Sequence, residues 1–112
     1  MINKRVGNIG EAEAVAFLKG KGYKIVETNY TNKIGEIDIV AKDKQTLVFI
    51  EVKSRSSDMF GLGREAVDFR KQQKIRLVAQ GYIKYKKLFD VGCRFDVVEI
   101  MEDKITHIEN AF

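Results

Sequence analysis

Two runs of aliphatic, β-branched and aromatic residues, Ile37–Ala41 and Leu47–Val52, flank the polar stretch Asp43–Thr46. Their length and composition predict two β-strands joined by a turn. Tyr23–Tyr30 (YKIVETNY) predicts a short strand before them, ended by the polar Thr31-Asn32-Lys33. Arg94–Ile100 (RFDVVEI) and Lys104–Asn110 (KITHIEN) predict a closing hairpin around Glu102-Asp103. Helical spacing occurs twice. Ala12, Val15, Ala16 and Leu18 follow Asn8-Ile9-Gly10-Glu11, which has capping-box spacing, and precede Gly20 and Gly22, so a helix is predicted from about Ile9 to about Lys19. Val67, Lys71 (through its aliphatic stem), Ile75, Val78, Ala79 and Tyr82 mark one stripe of a long helix predicted over about 64–86. Between them, SRSSDMFGLG (54–63) reads as a long functional loop. The order α-β-β-β-α-β-β predicts an α/β fold, a mixed β-sheet flanked by helices.

Charges interrupt the two central strands. Period-2 alternation places Glu36, Asp38 and Val40 on one face, with Ile37, Ile39 and Ala41 on the other. Leu47, Phe49, Glu51 and Lys53 share a face opposite Val48, Ile50 and Val52. An antiparallel pair with a loop over 43–46 sets Asp38 opposite Glu51 and Glu36 opposite Lys53. A two-residue loop would make Asp38 and Glu51 diagonal neighbours, still on one face. Facing carboxylates repel, and a divalent cation between them reverses the sign of that interaction. Two carboxylates supplemented by carbonyl and water oxygens suit Mg²⁺, and Lys53 would point into the same space to hold a phosphate oxygen or steady developing charge. A purely structural reading also stands: Glu36 and Lys53 as a cross-strand ion pair, Asp38 and Glu51 at solvated strand ends.

Composition narrows the setting. Apolar residues make up 45% of the 112 positions and charged residues 32%, which predicts a folded domain and not a disordered chain. With no linker, repeat or low-complexity stretch, one domain over 1–112 is expected. The longest apolar run, Leu47–Ile50, is far too short to span a bilayer, and MINKRVGNIGEAEA lacks the apolar block of a secretory signal. The single cysteine, Cys93, has no intramolecular disulfide partner, so a reducing cytoplasm is the expected compartment. From Arg64 to Lys87 eight basic residues stand against two acidic ones, while from Leu88 onward six acids stand against two bases. A basic block of this kind suits a polyanion such as nucleic acid, or is simply a solvated helix face.

Asp38-x12-Glu51-Val52-Lys53 resembles the Asp…Glu-x-Lys core of the restriction-endonuclease-like nuclease superfamily. In order along the chain, Gly7-x-x-Gly10-Glu11, Gly22-Tyr23, Asn29, Gly35-Glu36-Ile37-Asp38, Phe49-Ile50-Glu51-Val52-Lys53-x-Arg55, Lys71-Gln72 and Arg94-Phe95-Asp96 resemble the YraN-like family of small bacterial proteins. The family is similar to archaeal Holliday-junction resolvases. One departure is Ile37, where the motif usually has proline before the aspartate. The resemblance implies a restriction-endonuclease-like fold and a metal-dependent endonuclease acting on structured or branched DNA, with Mg²⁺ or Mn²⁺ as cofactor. It implies Asp38, Glu51 and Lys53 as catalytic residues, with Asp38, Glu51 and Glu11 as metal ligands; Glu11 is equally explained as a capping residue. Arg55, Lys71, Gln72 and Lys74 are the implied substrate contacts, and Glu36 a supporting partner of Lys53. A junction cutter needs two sites, so a homodimer is expected. A catalytically weak nucleic-acid-binding module of the same fold is the alternative. Three residues remain outside this set: His107 as a hairpin residue, Cys93 as a small buried apolar residue, and Asp96 as a sheet-edge ion pair.

Overall fold

The structure, a computed structural model, describes residues 9–55 and 68–112, the side chain of Arg55 excepted. Its elements follow the expected order: α1 (Ile9–Gly20), β1 (Lys24–Thr31), β2 (Glu36–Asp43), β3 (Thr46–Arg55), α2 (Phe69–Lys86), β4 (Cys93–Met101) and β5 (Lys104–Ile108). The strands form one sheet in the order β1-β2-β3-β4-β5. Neighbours are antiparallel except β3 and β4, which run parallel. Parallel strands cannot be joined by a tight turn, and the chain between them contains α2. The result is an α/β domain with a mixed sheet, as the hydrophobic pattern predicted.

β3 lies at the centre and is covered on both faces. Leu47 and Phe49 pack with Ile75, Val78, Ala79 and Tyr82 of α2. Val48 and Ile50 pack with Ala14 and Leu18 of α1. Their alternation explains why β3 reads as an unbroken apolar run although each face holds a separate cluster. The β2–β3 register is the one expected from a 43–46 loop, with Lys42 opposite Leu47 and Ile39 opposite Ile50. The turn itself is shorter, because Asp43 and Thr46 also pair, leaving Lys44-Gln45 at the tip with Lys44 at φ 58°.

Two expectations need correction. The buried stripe of α1 is Gly10, Glu11, Ala14 and Leu18, while Ala12 and Ala16 are exposed. Alanine is apolar but too small to fix a helix face, and the larger Leu18 sets the rotation. Glu11 therefore points toward the sheet. The second helix begins at Phe69 and not at Arg64, because Asp68 has extended backbone (ψ 175°) and caps it by accepting from Lys71 N–H at 2.9 Å. Residues 64–67, the 56–63 part of the loop and Asn8 of the capping box lie outside the described residues.

The turn between β1 and β2 docks on α2. Asn32 Oδ1 accepts from Ile34 and Gly35 N–H at 2.9 and 3.3 Å, and its amide reaches the Val78 carbonyl at 3.4 Å. Gly81 permits this approach, since a Cβ there would lie 2.9 Å from Asn32 Nδ2. The start of β2, which carries Glu36 and Asp38, is thereby held against the middle of α2, with Gly35 beside Lys74 and Val78.

Candidate functional site

Strands β2 and β3 part at the point where the sequence turns from apolar to charged. Their last paired residues are Ile39 and Ile50. One step further, Val52 N–H donates to Asp38 Oδ2 at 2.8 Å, so a side chain takes the place of a ladder partner. Across the other edge of β2, pairing passes from Thr28–Ile39 to Tyr30–Ile37 and skips Asn29, whose φ is 52°. The alternation of β2 breaks here as well: Ile37 joins the α2-side cluster with Val40, instead of following Ile39 and Ala41 to the α1 side. This local irregularity opens the sheet around the acidic residues.

Glu51 is buried at 6% exposure. Its Oε2 lies 2.7 Å from Lys71 Nζ and 3.7 Å from Lys53 Nζ. Burial, followed by the Glu51 charge, pushes the Asp38 carboxyl up to about 7, against the opposing effect of the Val52 N–H. Glu11 and Glu36 add smaller repulsions in the same direction. Lys53 is lowered from its ordinary value, first by burial and then by the neighbouring Lys71 ammonium. Burial acts on Lys71 in the same sense, but its contacts with Glu51 outweigh that effect and raise it.

The structure thus brings Asp38, Glu51, Lys53 and Lys71 together. Lys71 reaches the site because it shares the buried stripe of α2, four residues before Ile75, so its stem lies along the core while its ammonium emerges at Glu51. Glu11, the implied third ligand, accepts from Asn29 Nδ2 at 2.9 and 3.2 Å, and the same amide donates to Glu36 at 3.2 Å. Glu36 is therefore tied to Asn29 as well as standing near Asp38. Among the described residues no three His, Cys, Asp or Glu side chains are grouped as a metal's ligands. Lys74 lies with Asp68, Arg70 and Lys71 around a cavity of about 330 Å³. Gln72 N–H donates to the Asp68 carbonyl within the first turn of α2. The side chain of Arg55 lies outside the described residues, although its backbone ends β3 opposite Met101.

The donor set fits a hard divalent cation. Asp38 and Glu51 offer carboxylate oxygens from adjacent strands, and burial with the Glu51 charge holds the Asp38 carboxyl above its ordinary value, a cost that a cation there would relieve. Mg²⁺ keeps several waters and needs few protein ligands, so two carboxylates suffice.

A second polar centre is built around Asp96 of β4, which pairs with Ile50 of the α1-side cluster, and here sequence reasoning fell short. Asp96 was expected at a sheet edge, yet it has no exposed surface and sits on β4, an interior strand. It accepts from Arg94 Nε at 3.0 Å, Asn110 N–H at 3.1 Å and His107 Nε2 at 2.7 Å. Burial pushes the Asp96 carboxyl up, and the bonds from His107, Arg94 and Asn110 outweigh it and hold it below the usual range. Arg94 also donates to Asp43 at 3.0 Å and to the Tyr23 hydroxyl. Lys21 donates to His107 Nδ1 at 2.7 Å, which leaves Nε2 carrying the hydrogen directed at Asp96. His107, a half-buried residue whose side chain is enclosed, is thus a member of this network and more than a hairpin residue. It ties β5 to β4 and to the end of α1. Cys93, expected as buried, is exposed at the start of β4.

The model of the uncharacterised protein family UPF0102 matches residues 10–100, which takes in Asp38, Glu51, Lys53, Lys71, Arg94 and Asp96 but stops before His107 and β5. The chain belongs to family UPF0102. It is 50% identical over 114 residues to a UPF0102 protein of Clostridioides difficile, covering the whole of both chains. It is 48% identical over 117 residues to a UPF0102 protein of Alkaliphilus oremlandii, covering 99% of this chain and all of that one. A UPF0102 protein of Caldanaerobacter subterraneus is 48% identical over 119 residues, covering 99% and 98%. The resemblance read from the motifs is thereby shown at the level of family. None of these UPF0102 names states an activity. No described helix is long and apolar enough to cross a membrane.

Proposed function

We propose that this UPF0102 protein is a metal-dependent endonuclease that hydrolyses phosphodiesters of structured or branched DNA. The observation that carries this reading is the approach of Asp38 and Glu51 at the parted end of β2 and β3, beside the ammonium groups of Lys53 and Lys71. Burial, together with the Glu51 charge, lifts the Asp38 carboxyl to about 7, so ionising it weakens the fold and a bound cation would offset that cost. Asp38 and Glu51 would hold Mg²⁺ or Mn²⁺, which when bound supplies Lewis acidity and a more acidic water. Lys53 is anchored on β3, so its ammonium is pre-positioned to hold a phosphate oxygen and stabilise charge that develops there. The basic first turns of α2 would receive the flanking phosphates. The substrate class and a homodimer with two cutting sites come from likeness to junction resolvases, and the cytoplasm is the corresponding compartment.

A cleavage panel with Mg²⁺ or Mn²⁺ tests the proposal, using duplex, single-stranded, flapped and four-way-junction DNA and RNA. Wild type should cut a branched DNA, and Asp38→Asn and Glu51→Gln should not. Lys53→Ala should be slower by about a hundredfold or more, the scale of losing one stabilising donor. Cutting by Lys53→Ala at the wild-type rate would place the activity elsewhere. Salt-sensitive binding without cleavage of any substrate would replace the nuclease with a nucleic-acid-binding module.

A further inference from the structure

Lys71 differs from the other basic residues of α2 in where its charge ends. Its ammonium lies 2.7 Å from Glu51 Oε2, nearer than Lys53 at 3.7 Å from the same oxygen. With Asp38 and Glu51 ionised, the two lysines balance the two carboxylates. Placing a divalent cation on those carboxylates would set it beside two ammonium groups at one Glu51 oxygen, a repulsion that Glu11 and Glu36 offset only from further away and that favours withdrawal of one ammonium. Lys71 is the one able to leave: its side chain is 42% exposed, against 19% for Lys53. Its neighbours Arg70 and Lys74 share with it the cavity of about 330 Å³ beside the site, where an ammonium can be solvated or meet a phosphate.

We propose that Lys71 is a built-in counter-cation, which neutralises Glu51 until a divalent cation displaces it and then serves as a phosphate contact. The inference rests on the metal-site reading of Asp38 and Glu51. It makes metal and polyanion binding cooperative, because each favours the state in which Lys71 has left Glu51, and that coupling is reciprocal.

Calorimetric titration of the full chain with Mn²⁺, without nucleic acid, tests the inference. Lys71→Gln should bind Mn²⁺ at least about fivefold more tightly than wild type, the lower end of ordinary coupling between sites. Lys71→Arg, which keeps the charge, should stay near wild type, and circular dichroism shows whether each variant is folded. Wild-type thermal stability provides a second readout: Mn²⁺ should raise the melting temperature of Lys71→Gln more than that of wild type. Equal or weaker Mn²⁺ binding by folded Lys71→Gln, with binding intact in wild type and lost in Glu51→Gln, overturns the role of Lys71 and leaves the metal site standing. Absence of Mn²⁺ binding by wild type removes the metal site and this inference together.

Discussion

Asp38 shows how one residue records the requirements of the site. The unfolded chain releases its proton near the ordinary value of 3.8, whereas the folded protein holds it to about 7. Between those values the folded state binds the extra proton, so Asp38 makes stability fall as pH rises from about 4 to about 7, then level off. The accumulated loss is on the order of a few kcal/mol. Asp38→Asn has no proton to release and should lack this slope. Urea unfolding at pH 5 and pH 8 should therefore show a larger drop for wild type than for Asp38→Asn. Saturating Mg²⁺ at pH 8 should recover part of the wild-type loss. Parallel profiles for the two proteins would mean that Glu51 and burial do not strain Asp38. Asp96 carries the opposite sign: its depressed carboxyl contributes stability that is present above its unfolded value and lost only in acid, so the two effects fall in separate pH windows.

At the scale of elements, strands were easier to read than helix faces. The β2–β3 register followed from alternation, because sliding by one residue would bury Lys42 and expose Ile39. The same alternation gathered Asp38, Glu51 and Lys53. It failed at Ile37, where the left-handed backbone of Asn29 on the neighbouring strand interrupts the pairing, a feature with no hydrophobic signature. The face of α1 was misread because Glu11 occupies a buried position that hydropathy assigns to solvent. The Asp96–His107 contact depends on β4 pairing with β5, with Val98 opposite His107, and spacing alone could not assign those side chains to one another. The start of α2 illustrates how an element sets a site. Asp68 accepts from the N–H of Lys71, the residue whose ammonium meets Glu51. Asp68→Ala should cost about 1 kcal/mol, measured by urea unfolding, with Asp68→Ser much closer to wild type. A loss equal in both substitutions would show that the carboxylate acts through something other than the cap.

At the scale of the whole molecule, Arg76 stacks over Phe95 and Phe112, and the other basic residues of α2, with its C-cap Lys87, fall into two groups. Arg70, Lys71 and Lys74 stand at the N-terminal end beside Asp38 and Glu51, while Lys84, Lys86 and Lys87 lie at the far end, with Lys86 paired to Glu27 at 3.7 Å. If the acidic centre cuts a phosphodiester, the flanking phosphates must pass the first group, and the second can act only through the general field. Both groups contribute equally to net charge, so composition cannot separate them. Binding of a four-way junction should be measured in Ca²⁺ over a range of salt concentrations. The double substitution Arg70→Gln/Lys74→Gln should weaken binding and lower the slope of log affinity against log salt by about 2, one lost phosphate contact per residue. Lys84→Gln/Lys87→Gln removes the same charge and should leave the slope within about 1 of wild type. An equal effect from both pairs would mean that DNA is held by diffuse attraction along the whole helix. A larger effect from the second pair would place the nucleic acid away from Asp38 and Glu51, and the acidic centre could not then be where it is cut.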